Sequence, residues 1–282
     1  MGISIGCCCA ILYAASTLTQ GPSQQMIVAS LSHLASLPMY DWPEIREQTD
    51  TFWQGLAKHA GLEGELDRKT EYGELWRNPN LMFSQTCGYP FSHSFKGLLH
   101  YIATPHYVAD GCDGANYCSV IFAREQKPLA DFYGSTAAIN TADSMSGMLA
   151  LKLVFAPHVQ GGEFFRRIKI TGSHRSSLKA VRTKYADVCA IDAVCVALVK
   201  KYCPQELEGL VEITCSSSVP VLPFVTRAGD PAQLVAALEK TFADPQLKPA
   251  REALLLKDFS VLPNGAYDKI LDLENALPPF NL

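Results

Sequence analysis

The sequence has no excess of charge of either sign. Its 24 Lys and Arg stand against 28 Asp and Glu, with an isoelectric point near 6.0. No basic stripe runs through it, which argues against nucleic acid as the main partner. Nor does it contain a Walker A loop, a GxGxxG turn, an HExxH helix or a GxSxG elbow. The usual ATP, dinucleotide, zinc-protease and serine-hydrolase readings therefore lose their support. Low-complexity tracts and internal repeats are missing too, which excludes solenoids and propellers.

What is present suits a globular chain. It has 282 residues, 48% of them hydrophobic, enough to bury a substantial core as one large domain or two small ones. Ten cysteines are unevenly spread. Cys7, Cys8 and Cys9 are consecutive, and Cys189 and Cys195 lie in apolar runs where a free thiol behaves as a small hydrophobe. That usage suits a reducing compartment better than a disulfide scaffold. Cys112 and Cys118 could close a small loop if the protein met an oxidant. His100, His106, Cys112 and Cys118 match no usual zinc spacing; no metal and no cofactor are expected.

The N-terminus supports more than one reading. Ile3 to Ala15 is an apolar run with small residues at Ala14, Ala15 and Ser16, as in a short signal peptide, yet no Lys or Arg precedes it. Gly2 before three cysteines suggests acylation, but Gly6 stands where the myristoylation pattern wants Ser or Thr. The run is too short to span a bilayer. Alternatively residues 1–25 are an extension and the folded part starts near Met26. An exported chain would be periplasmic or envelope-bound; without a signal it would be cytoplasmic.

From Met26 onward strand and helix signals alternate. Strands are expected at 27–37, 81–83, 99–104, 118–124, 136–139, 167–170, 188–191 and 222–226. Helices are expected from Pro43 to about Ala60, from the turn before Gly147 to about Pro157, around Leu178, Val181 and Tyr185, and from Asp192 to Tyr202. Repeated strand–turn–helix units imply a doubly wound α/β architecture, in which ligands sit at the carboxyl ends of strands. Four segments fall there: Ser84–Tyr89, Asn140–Gly147, Gly172–His174 and Asp192. The loop 140–147 is the most informative. It offers hydroxyls, an Asp suited to capping and a Gly for close approach, but no Lys or Arg. Amides at a helix start carry partial positive charge. The loop is therefore suited to hold an anion reversibly with neutral donors. Taken alone, the same residues also suit simple capping, and Asp192 reads as an ordinary N-cap.

The ordered motifs Ser-Leu-Pro-Met-Tyr-Asp (36–41), Ser-Gln-Thr-Cys-Gly-Tyr-Pro (84–90), Thr-Pro-His-Tyr (104–107), Gly-Cys-Asp-Gly-x-x-Tyr-x-Ser (111–119), Ala-Ile-Asn-x-x-Asp-Ser-x-Ser-Gly (138–147), Gly-Ser-His-Arg-x-Ser-Leu (172–178), Ala-Asp-Val-x-Ala-Ile-Asp (186–192) and Leu-Pro-Phe-Val-Thr (222–226) resemble the phosphate/phosphite/phosphonate substrate-binding proteins of ABC transporters. The resemblance spans about 26–229. It implies an α/β, two-lobed type II periplasmic-binding-protein fold with a two-stranded hinge and a central ligand cleft. Carried onto this chain, lobe one is 26–116 plus 224–282 and lobe two is 117–223.

The resemblance further implies a monomeric, non-catalytic binder of a small oxyanion, serving an ABC permease. Ser144 and Ser146, with the amides of Met145 and Ser146, would cradle the oxygens. His174 would donate to the same group, its pKa raised by a bound dianion. Tyr89 and Tyr117 would wall the cleft, and Asp192 would meet a ligand ammonium. Asn140, Gln85 and Tyr40 complete the expected set. The second acid that accompanies aminophosphonate recognition is not evident at Ser216–Ser218. Two other readings stand beside this one: an enzyme on the same fold, of the pyrimidine or menaquinone biosynthesis type, and a cytosolic or membrane-tethered anion sensor.

Overall fold

The computed structural model describes residues 34–280; the apolar run at 3–15, the three consecutive cysteines and the first part of the expected strand 27–37 lie outside them. Two five-stranded sheets organise the chain. In the first, Leu34–Ser36 pairs parallel with Leu81–Gln85, and Phe224–Thr226 lies antiparallel between Leu81–Gln85 and His100–Tyr107. Leu256–Ser260 closes that sheet's edge on His100–Tyr107. In the second, the order is Val211–Cys215, Ser119–Ala123, Val188–Asp192, Thr136–Ile139 and Arg167–Ile170. The last three run parallel to one another, so their carboxyl ends share one edge.

Each sheet contains an antiparallel strand because the chain enters it late, from the other sheet. Ser119–Ala123 follows directly on Asn116–Tyr117, and Phe224–Thr226 follows Val219–Pro220. These two crossing segments pair antiparallel with each other, and Cys112–Asp113 adds a third strand to that small sheet. Two crossing strands thus join the sheets, with Cys112–Asp113 paired alongside them. Both sheets of this α/β architecture are mixed, with parallel and antiparallel pairs.

Local chemistry explains the helices that matter. Pro43 opens a tight turn, Pro43–Ile45, that feeds the helix Arg46–Ala60. The helix buries Phe52, Trp53 and Leu56 and stops at Gly61, whose φ of 67° suits a residue without Cβ. The strand Val188–Asp192 is buried throughout, as a central strand covered on both faces must be. Tyr185, expected on a helix face, lies beyond the helix His174–Arg182 and is 59% exposed. The helix ends earlier because Lys184 adopts a left-handed φ of 64°.

Candidate functional site

Three turns meet at the carboxyl edge of the second sheet. The first follows Thr136–Ile139. There Ser144 caps a helix start, its Oγ accepting from the Gly147 amide at 2.9 Å. The Leu149 amide reaches the Ser144 carbonyl at 2.9 Å, so Met145–Leu149 forms one wide π-type turn before the α-helix Ala150–Phe155. Such turns recur at functional sites because they swing side chains out of helical register. Here Gly147 is required: a Cβ there would lie 1.9 Å from Asn140 Oδ1.

The second turn follows Arg167–Ile170 and is tied to the first, since the Gly172 amide donates to the Asn140 carbonyl at 2.9 Å. Ser173 caps the helix His174–Arg182. His174 Nε2 then lies 2.9 Å from Ser146 Oγ. The third turn ends the strand Val188–Asp192. Asp192 Oδ1 accepts from the amides of Val194 and Cys195 at 2.7 and 3.2 Å.

Across from these turns, the first sheet contributes the segment after Leu34–Ser36 and the one after Leu81–Gln85. Between the two sides lies a cleft of about 480 Å³. Tyr40, Asn140, Ser144, Ser146, His174 and Asp192 all line it. Three polar ties cross it. The Tyr40 hydroxyl donates to Asp192 Oδ2 at 2.9 Å, and the Met145 amide donates to the Cys87 sulfur at 3.3 Å. The third tie is at Glu44, whose two oxygens accept from Arg175 Nη1 and Nη2 at 3.0 and 3.1 Å and from the Cys203 thiol at 3.1 Å. Arg175 also pairs with Glu206 on its own side and lies 4.9 Å from the Trp42 ring.

Four expected residues take other positions. Tyr89 is not among the residues lining the cleft: its hydroxyl donates to Glu274 at 2.7 Å and its ring stacks on His93 at 3.8 Å. Gln85 is buried, donating to the Tyr107 hydroxyl and the Leu222 carbonyl at 3.2 and 3.1 Å. The Met145 amide, expected to face an anion, is occupied by Cys87. Tyr117 is 1% exposed, beneath the cleft surface rather than on its wall.

The electrostatics of the cleft are close to neutral. Burial pushes His174 down to about 4, so the ring is uncharged at neutral pH. Its Nδ1 has no hydrogen-bond partner, although the Ala190 carbonyl lies near enough to favour the charged ring slightly. Burial raises Asp192 to about 6 against the opposing hydrogen bonds from Tyr40 and the two amides. The Cys87 thiol is raised to about 11 by burial, leaving it neutral. Tyr117 is raised further still, again by burial. Around Ser146 and Gly147, three buried polar atoms have no protein partner: the Tyr117 hydroxyl, Asn140 Oδ1 and His174 Nδ1. Ser146 is the residue closest to satisfying Tyr117, without a hydrogen bond of normal geometry.

Asp143, Trp42, Arg77 and an aromatic group around Trp76 also line the cleft and were not singled out from the sequence. Asp41 and Asp143 join Asp192 as cleft acids where Ser216–Ser218 offers none. Glu44 and Arg175 are 131 residues apart and carry no shared spacing signal. The Gly-Ser-His-Arg motif was the one available cue to Arg175.

Two sheets joined by a crossing ribbon, with a polar cleft at the carboxyl ends of their strands, define a two-lobed solute-binding protein. The family model described as ABC transporter, phosphonate, periplasmic substrate-binding protein matches residues 34–261, and the chain belongs to that family. Similar solved structures include PhnD1 from Prochlorococcus marinus (MIT 9301) in complex with methylphosphonate, at 13% identity and a TM-score of 0.69, covering 86% of this chain and 96% of that one. Another is a binding protein component of an ABC phosphonate transporter from Pseudomonas aeruginosa, at 18% identity and a TM-score of 0.67, covering 86% and 85%. A third is a Xanthomonas citri protein bound to ATP, at 18% identity and a TM-score of 0.64, covering 86% and 96%. At these identities the likeness is one of fold. No curated protein matches the sequence significantly.

Proposed function

We propose that this protein binds a small phosphorus oxyanion, a phosphonate, phosphite or phosphate, in the cleft and presents it to an ABC permease. The observation that carries the reading is the convergence of Ser144, Ser146 and His174 at two helix starts on the cleft wall, with His174 Nε2 2.9 Å from Ser146 Oγ and no Lys or Arg between them. A tetrahedral oxyanion there would accept from the two hydroxyls and from the imidazole N–H. With neutral donors the hold is moderate and reversible, as delivery to a transporter requires. Micromolar binding needs about 8 kcal/mol, so several contacts and apposed lobes must act jointly.

Catalysis fits the same atoms less well. Ser146 and His174 have the spacing of a nucleophile and its base, but a working pair needs a third group to orient the ring. Nothing holds Nδ1. The test is a thermal-shift and calorimetric panel of methylphosphonate, phosphite, phosphate, 2-aminoethylphosphonate and sulfate. A true ligand at about 100 times its Kd adds about 2.7 kcal/mol of apparent stability. If no phosphorus oxyanion stabilises the protein, the reading fails. If one is consumed on incubation, the protein is an enzyme.

A further inference from the structure

The cleft is larger than a bare oxyanion requires, and the excess has a defined chemistry. Methylphosphonate has five heavy atoms and fills about 150 Å³ at the roughly 30 Å³ that a water-sized group occupies in a liquid. The cleft measures about 480 Å³. Splayed lobes do not account for the difference, because Tyr40–Asp192, Cys87–Met145 and Glu44–Arg175 already tie one side to the other.

The remaining space is bounded by Tyr72, Gly73, Trp76, Arg77 and Phe95 on the first-sheet side. This wall is rigid and mostly apolar. Trp76 packs edge-on against Phe95 at 5.4 Å, and its indole nitrogen donates to Ser84 Oγ at 3.3 Å. The Arg77 guanidinium lies 4.9 Å from the Phe95 ring and donates to the Gly73 carbonyl at 2.7 Å. Tyr72 leans on Trp76 at 5.7 Å yet remains 46% exposed, so an aromatic face is available toward the mouth. Aromatic rings held in this way bind planar apolar groups with little ordering cost.

We propose that the natural ligand is an organic phosphonate or phosphate monoester with a planar or aromatic substituent, its oxyanion at Ser144, Ser146 and His174 and its substituent against Tyr72, which is backed by the buried Trp76. This rests on the oxyanion reading above and adds the ligand's organic half. Phenylphosphonate, with ten heavy atoms, would fill about 300 Å³ by the same measure and fits within the cleft.

The experiment compares phenylphosphonate with methylphosphonate by isothermal titration calorimetry, on the natural chain and on Tyr72→Ala. Phenylphosphonate should bind about tenfold or more tightly, the scale expected from burying one aromatic ring. Tyr72→Ala should then weaken phenylphosphonate several times more than methylphosphonate. Methylphosphonate binding as tightly as phenylphosphonate, or Tyr72→Ala weakening both alike, overturns this inference and leaves the oxyanion reading standing. Binding of neither compound overturns this inference, and binding of neither these nor phosphite or phosphate overturns both.

Discussion

Occupation of the cleft by an anion should be coupled to protonation of His174, and the coupling has a size. In the empty cleft burial holds the ring at about 4. An anion beside Nε2 removes that penalty on the charged form; taking the occupied value as the ordinary 6.5 is a conservative choice. At pH 8 the ring is neutral in both states and the coupling vanishes. At pH 5 the empty ring is about one-tenth charged and the occupied ring almost wholly so, which raises affinity about 30-fold over pH 8. Affinity therefore falls as pH rises from 4 through the occupied-state pKa. The ligand titrates in the same range, and so does Asp192, whose buried carboxyl sits at about 6. Asp143 also faces the cleft, and Cys87 and Tyr117 stay neutral throughout. The clean quantity is thus the ratio of Kd for His174→Gln to Kd for the natural protein, measured for methylphosphonate at each pH, because the other groups contribute to both. That ratio should climb about 30-fold between pH 8 and pH 5. Calorimetry in buffers of different ionisation enthalpy should show about 0.9 more protons taken up by the natural chain at pH 5. A flat ratio with equal proton uptake would mean that His174 does not meet the ligand.

Two further substitutions probe separate parts of the cleft. Gly147→Ala should push the Asn140 amide away, since the new methyl would lie 1.9 Å from its oxygen. The expected result is a stability loss of about 1–3 kcal/mol by denaturant melts together with weaker methylphosphonate binding; unchanged affinity would remove Asn140 from the site. Glu44→Gln should loosen the tie to Arg175. With both partners about 30% exposed (31% and 26%) the pair is discounted for screening, but its paired geometry keeps it near 1 kcal/mol, so dissociation should quicken about three- to tenfold in stopped-flow tryptophan fluorescence, with a weaker dependence on salt. An unchanged dissociation rate would show that the tie plays no part in closure.

What the sequence made legible was what local chemistry determines. Ser144, Ser173 and Asp192 each announce a helix start, and each stands at one. Their convergence at one edge follows from parallel pairing of three strands, which alternating signals do predict. The first sheet was harder. Leu256–Ser260 reads Leu-Lys-Asp-Phe-Ser, with two charged positions exposed because it is an edge strand, so it lacks a continuous apolar run. The crossing ribbon is built from two-residue pieces, too short for any periodicity. Tyr89 was misplaced for a different reason. A motif fixes a residue's position along the chain but not which neighbour claims its hydroxyl, and Glu274, 185 residues away, was not predictable as that neighbour.

The same distinction explains the character of the cleft. Its cations and acids are largely committed to one another: Arg68 and Arg46 hold Asp41, and Glu44 and Glu206 hold Arg175. These pairs keep full charges at the rim, where Glu44–Arg175 ties the two lobes. The floor is left to hydroxyls, an amide side chain and a neutral imidazole. A free Lys or Arg on that floor would strengthen anion binding in both the closed and the opening cleft, and so would slow release. Neutral donors lose most of their effect once water enters, because their strength depends on the low dielectric of the closed site. Closure and binding are thereby made interdependent, and the ties at Arg175 and Tyr40 bear on affinity as much as the groups that touch the anion.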